Sequence, residues 1–261
     1  MENKFPIFEE TKLEKKEKKE VTWIYCLSVF IFFAVLAFVG FRFWVYFNFS
    51  FFPVRGTSME PGINQGAPSG TVCDGVLVQK NCGFTYGDVV IVQPDGQDST
   101  WIKRVIAMEG DKISIKKDAT DGFYHVSLIY KDSDTIEVLQ EDYINGYAEW
   151  TSGISETTYQ NVQYEGNFYN QFIAKGKNLT KEADGAYYYQ IQPGQFFFLG
   201  DNRQVSMDSR YVGTFRTSQV VAVARLVLPR AGMVKNQNQL WAIIFKGYVD
   251  YFWQVICDFF A

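Results

Sequence analysis

The longest apolar stretch runs from Val21 to Phe41 without a charged residue. About 20 such residues, rising roughly 1.5 Å each, span a hydrocarbon core of roughly 30 Å, so the pattern predicts a transmembrane helix over residues 21–42. The stretch is longer than the apolar region of a secretory signal and continues past Val35-Leu36-Ala37, a segment that could serve as a cleavage site. A retained anchor is therefore expected. Lys12, Lys15, Lys16, Lys18 and Lys19 crowd the preceding residues. That positive flank predicts a cytoplasmic tail over residues 1–20, a single pass through the cell (plasma) membrane, and an extracytoplasmic remainder. Past Gly40, Phe41, Phe43, Val45, Phe47, Phe49 and Phe51 alternate with Arg42, Trp44, Tyr46, Asn48 and Ser50. Period two predicts an extended segment, lying among lipid headgroups or serving as a core strand. At the other end, Trp241 to Ala261 is apolar except for Lys246, Asp250, Gln254 and Asp258, which recur every fourth residue. One narrow polar stripe on a helix predicts an amphipathic membrane-interface helix over residues 235–261.

Between these ends lie short apolar runs bounded by Gly, Asn, Asp and Pro, such as Gly75-Val76-Leu77-Val78-Gln79-Lys80, Trp101-Ile102-Lys103-Arg104-Val105-Ile106-Ala107 and Phe196-Phe197-Phe198-Leu199. They predict a mainly β fold after the N-terminal transmembrane helix, with a β-rich stretch over residues 117–189. In that stretch, Ser127-Leu128-Ile129-Tyr130 and Ile136-Glu137-Val138-Leu139 are the strand candidates. An aromatic share of 18% argues against an all-α protein, and a net charge of -4 against a nucleic-acid partner. Cys26 and Cys257 fall in the apolar ends, leaving Cys73 and Cys82 on either side of a strand-like run. An extended run holds them apart, so free thiols are expected. No Cys-x-x-Cys pair exists and His125 is the only histidine, so neither a metal nor a cofactor is expected.

Three segments carry candidate chemistry. Val54-Arg55-Gly56-Thr57-Ser58-Met59-Glu60-Pro61-Gly62 sets a serine between glycine and proline, where a serine ordinarily bonds its own backbone. In the Trp101–Ala107 run, period two puts Lys103 and Arg104 on opposite faces. Such a pair ordinarily blunts an edge strand, yet a lysine desolvated among apolar side chains loses enough basicity to accept a proton. After Leu199 comes Gly200-Asp201-Asn202-Arg203-Gln204-Val205-Ser206-Met207-Asp208-Ser209-Arg210, a turn whose acids and arginines could lock one another in place. Taken singly, each is ordinary loop or strand chemistry.

Taken together, their order and wording resemble the bacterial type I signal peptidases. Ser58-Met59-Glu60-Pro61, Lys103-Arg104-Val105-Ile106 with Gly110-Asp111, and Gly200-Asp201-Asn202-Arg203 with Ser206 and Asp208-Ser209-Arg210 match that family's motifs. Val76-Leu77-Val78-Gln79-Lys80 followed by Gly87-Asp88-Val89-Val90 is a looser match, and with the anchor the resemblance covers roughly residues 21–116 and 190–230. It implies a membrane-anchored endopeptidase that removes N-terminal signal peptides from exported preproteins through an acyl-enzyme. It also implies that residues 117–189 are a small insertion within a β-sheet domain of residues 43–116 plus 190–234. Ser58 would be the nucleophile and Lys103 the general base. Ser206 would orient the lysine, while Asp208 and Arg210, with Asp201, Asn202 and Arg203, would support the loop. Relatives that use histidine in place of lysine are excluded by Lys103, and His125 lies away from the motifs.

Some members carry serine, an oxyanion donor, where this chain has Gly56; the Gram-positive members resemble this sequence in having glycine. Small side chains before the cut are the implied specificity, and Val54, Gly56, Met59, Trp101 and Ile102 are the candidate lining. The implied partners are signal peptides and a lipid bilayer, with the oligomeric state left open. Two alternatives stand beside this reading: a catalytically silent membrane-tethered assembly factor for surface proteins, and a peptidase dedicated to one pilin or conjugation protein.

Overall fold

The structure, a computed structural model, describes residues 12–64, 74–117, 124–144, 168–203 and 205–228. The expected C-terminal amphipathic helix, Cys73, Cys257 and most of the N-terminal tail lie outside these residues. Cys26 and Cys82 are free thiols.

Helix α1 spans Lys12–Asn48; within its part from Val21 to Asn48 an 18-residue window reaches a mean hydropathy of 2.6 and the apolar side chains are exposed, so this part is long and apolar enough to cross a membrane. The alternation read after Gly40 does not produce an extended segment there. Trp44 and Tyr46, which supplied the polar positions of that pattern, are themselves aromatic, and no proline lies between Gly40 and Pro53. A backbone among lipid satisfies its polar groups most simply by continuing the helix. Extension begins only at β1, Phe49–Pro53, after Asn48 bonds back from Nδ2 to the Trp44 carbonyl at 2.8 Å.

The chain from Phe49 onward forms a second compact unit. Strands β2 (Gly75–Lys80), β3 (Val89–Val92), β4 (Trp101–Ala107), β5 (Lys112–Lys117), β6 (Tyr124–Ile129) and β7 (Glu137–Val138) follow. They are succeeded by β8 (Leu179–Lys181), β9 (Tyr187–Gln190), β10 (Gln195–Leu199), β11 (Phe215–Arg216) and β12 (Val220–Leu228). A seven-stranded sheet has the order β1-β2-β12-β3-β4-β10-β11, and a five-stranded sheet the order β7-β6-β5-β9-β8. All recorded pairings are antiparallel. The second sheet thus runs from Lys112 to Gln190 and contains the strand candidates of the insertion.

Both faces of the large sheet are covered. Phe196 and Phe198 pack with Val90, Val92, Val105, Phe215 and Val223, whereas Phe197 and Leu199 pack with Ile113, Val126, Leu128 and Phe172 near the smaller sheet. That is why Phe196-Phe197-Phe198-Leu199 is an unbroken apolar run and not an alternating one. A third cluster, with Val54, Met59, Ile63, Val76, Ile91 and Ile102, underlies the loop that follows β1.

Candidate active site

Strand pairing brings the three motif segments together. β4 lies between β3 and β10, with Lys103 opposite Val90 and Arg104 opposite Leu199, the last residue of β10. The loop beginning at Gly200 therefore leaves the sheet beside Lys103 and Arg104. From the other edge, β1 delivers the Ser58 loop, and the Asn202 N–H donates to the Ser58 carbonyl at 3.0 Å.

Lys103 Nζ lies 3.0 Å from Ser58 Oγ and donates to the Ile102 carbonyl at 2.8 Å. The side chain is buried, and desolvation lowers its ammonium from 10.5 to about 8. Asp208 and Asp201 oppose that shift; Arg210 adds to it. Near neutrality a usable fraction of this lysine is an unprotonated amine within reach of the serine hydroxyl. Period two was the correct guide on this strand: Arg104, on the opposite face, forks onto Asp201 through Nε to Oδ1 at 2.8 Å and Nη2 to Oδ2 at 2.6 Å.

The Gly200 loop is built from buried charge. Asp208 and Arg210, both fully buried, pair from Nε to Oδ1 at 2.8 Å and from Nη2 to Oδ2 at 2.9 Å. Asp208 also caps the short helix α2, Ser209–Val212, by accepting from the Arg210 N–H, and accepts from the Gly200 N–H at 3.1 Å. Arg210 Nη2 reaches the Arg203 carbonyl at 2.9 Å, and Arg203 Nε the Gly200 carbonyl at 2.9 Å. Such forks hold a loop in one shape, and leaving either partner alone would strand a buried charge. Ser206 is buried in the same loop, but its Oγ makes no hydrogen bond to Lys103 or to any other described group. It packs instead on Gly200, where an added Cβ would sit 2.1 Å from it.

A cleft of about 270 Å³ opens beside the pair, lined by Phe52, Pro53, Val54, Arg55, Ser58, Ile91, Thr100, Trp101, Ile102 and Lys103. Of the expected lining it contains Val54, Trp101 and Ile102. Met59 is not there; the turn after Ser58 sends it into the core at 1% exposure, where its thioether fills space beneath the loop. Gly56 is also outside the lining. It adopts φ +92° with open space around its α-carbon, so a serine there would find room but a strained backbone. His125 is in β6, paired with Lys116 of β5 in the smaller sheet.

Asn64 is a residue that no motif flagged. Buried at φ +65°, it donates from Nδ2 to the carbonyls of Val54 at 3.0 Å and Gly56 at 2.7 Å, and accepts at Oδ1 from the Asp74 N–H at 2.5 Å. It clasps the strand-to-serine connection. Asn64→Ala is expected to lower stability by about 2 kcal/mol by orphaning these groups. Asn64→Asp should cost at least as much, since a carboxylate would face two carbonyl oxygens; denaturant unfolding of the two variants measures both.

Comparison with known proteins finds relatives of this chain. Signal peptidase I of Streptococcus pneumoniae serotype 4 (strain ATCC BAA-334 / TIGR4) is 29% identical over 182 residues, covering 67% of this chain and 79% of that protein. Signal peptidase IB of Staphylococcus aureus (strain COL) is 28% identical over 213 residues, covering 78% and 87%. The crystal structure of a signal peptidase I from Enterococcus faecalis V583 aligns with a TM-score of 0.35 at 22% identity, covering 54% of this chain and 97% of that one. Residues 23–228, the anchor through the last described strand, match the family model described as signal peptidase, peptidase S26, and the chain belongs to that family.

Proposed function

We propose that Ser58 is the nucleophile and Lys103 the general base in the reaction of this membrane-anchored serine endopeptidase, the removal of signal peptides from preproteins. The observation that carries the assignment is the 3.0 Å approach of Lys103 Nζ to Ser58 Oγ by a lysine whose burial lowers it to about 8. The neutral amine takes the hydroxyl proton as Ser58 Oγ adds to the scissile carbonyl. The resulting ammonium protonates the departing amine as the peptide C–N bond breaks, leaving an ester on Ser58. Lys103, neutral again, then deprotonates a water that attacks the ester and returns the proton to Ser58. Asp208, Arg210, Asp201, Asn202 and Arg203 hold the loop that presses against this pair, and Ser206 packs within it. The walls formed by Val54, Trp101 and Ile102 favour small side chains next to the cut. Signal peptides meet the site outside the cytoplasm, with the tail of α1 inside and the anchor crossing the lipid bilayer once.

The detergent-solubilised protein is expected to cut a model preprotein after a small residue, read by mass spectrometry of the product, whereas Ser58→Ala yields no product. Cleavage by Ser58→Ala would overturn the assignment of the nucleophile. A wild type inert on several preproteins would favour the silent assembly factor. Protease protection in sealed vesicles tests the topology: a domain shielded on the cytoplasmic side would contradict it.

A further inference from the structure

The Gly200 loop is gripped by residues that belong to neither the serine nor the lysine segment. Arg203 is fully buried and cannot shed its charge, so it needs a carboxylate. That carboxylate is Glu141, which follows β7 of the smaller sheet: Arg203 Nη1 donates to Glu141 Oε2 at 3.1 Å, and Nη2 pairs with Oε1. Tyr143 completes the grip. Its hydroxyl donates to Glu141 Oε1 at 2.9 Å and accepts from Arg203 Nη2 at 3.3 Å, while its ring lies 4.2 Å from the Arg104 guanidinium carbon. Burial and Glu141 raise the phenol well above its ordinary value, so it stays a donor.

From these two side chains the contacts lead directly to the dyad. Glu141 fixes Arg203, whose Nε holds the Gly200 carbonyl; Tyr143 stacks on Arg104, which forks onto Asp201; and the next residue, Asn202, donates to the Ser58 carbonyl. We infer that Glu141 and Tyr143, supplied by the inserted β-rich segment, are positioning residues for the Ser58–Lys103 pair. The insertion is then a working part of the active site and not an appendage. This rests on the assignment of that pair under Proposed function.

The charged groups acting on Lys103 are Asp208, Asp201 and Arg210, all on the loop that the grip holds, and the largest influence is the desolvation that the packed loop helps maintain. A loosened loop admits water and returns the lysine toward its ordinary basicity. In the full chain in detergent, Glu141→Gln and Tyr143→Leu are expected to lower kcat about tenfold or more with KM within about twofold. The acid limb of their kcat profile should move up by about one pH unit. Tyr143→Phe, which keeps the ring on Arg104, should retain most activity. Asp95→Asn, which breaks the exposed pair with Arg216, serves as the control and should behave as wild type. Should Glu141→Gln fail to fold, Tyr143→Leu carries the test, because it leaves Arg203 its carboxylate. A folded variant with a lower melting temperature but unchanged kcat and an unmoved acid limb would overturn the inference. Competitive acetylation of Lys103 with acetic anhydride across pH, read by mass spectrometry, follows the same titration without turnover. An inert wild type would thus count against the peptidase mechanism alone, and an unmoved acetylation midpoint in the variants against the grip.

Discussion

Lys103→Met is expected to give a protein more stable than the wild type and about 10²–10⁴-fold less active on a preprotein. Activity falls because methionine fills the same space without a lone pair for the Ser58 proton. Stability rises because the wild type keeps a buried amine whose ammonium is lowered from 10.5 to about 8. Below about pH 8 the ammonium is present in folded and unfolded chains alike, and the desolvation cost is borne in full. Between 8 and 10.5 the unfolded chain binds more protons than the folded one, so stability climbs with pH and the cost disappears. Methionine removes that cost at neutral pH, a gain on the order of 3 kcal/mol. Thermal unfolding of wild type and variant at pH 7 and pH 10 should show the gap narrowing at the higher pH. For the wild type, kcat should climb with pH through about 8 as the amine becomes neutral. A methionine variant less stable than wild type at pH 7 would contradict the buried-ammonium account, and one that still cleaves would contradict the general base.

The second large effect is expected at Gly200. A Cβ there would lie 2.1 Å from Ser206 Oγ, 2.5 Å from Ser206 Cβ and 2.5 Å from the Ser58 carbonyl oxygen. Rotating the Ser206 hydroxyl relieves only the first of these. The other two atoms cannot yield without moving the loop or the serine backbone, and that movement breaks the Asn202–Ser58 hydrogen bond. Gly200→Ala should therefore cost about 3 kcal/mol by overpacking and lower kcat about a hundredfold through misplacement of Ser58. Adding Ser206→Ala should restore little of either. Near-wild-type kcat in Gly200→Ala would show that the loop does not set the position of the nucleophile.

Much of this was legible in the chain. The alternation in Trp101–Ala107 separates Lys103 from Arg104 before any fold is known, and Phe196-Phe197-Phe198-Leu199 reads as a strand buried on both faces. Other features were closed to sequence reading for physical reasons. Glu141 and Arg203 are brought together only by the packing of two sheets, across a separation of 62 residues, and nothing local marks a glutamate as the partner of a distant arginine. Asn64 carries no mark in the local sequence because its value lies in which carbonyls surround it. Met59, beside the nucleophile in the chain, turned away into the core, since neighbouring residues in a turn diverge. The helix beyond Gly40 was misjudged because aromatic residues fit a strand and a membrane helix equally well, and only the environment decides.

The adjacency of Lys103 and Arg104 has a further consequence for the register of β4. If β4 slipped by one residue, every side chain would change face, and Ile102 or Arg104, according to the direction of the slip, would take the place of Lys103 opposite Ser58. Isoleucine has no basic atom and arginine cannot become neutral at physiological pH, so neither would supply a base there. In the native register Asp201 holds Arg104 while the Lys103 amine faces the Ser58 hydroxyl. The order of these two neighbouring cations thus ties a usable base to the native register of β4.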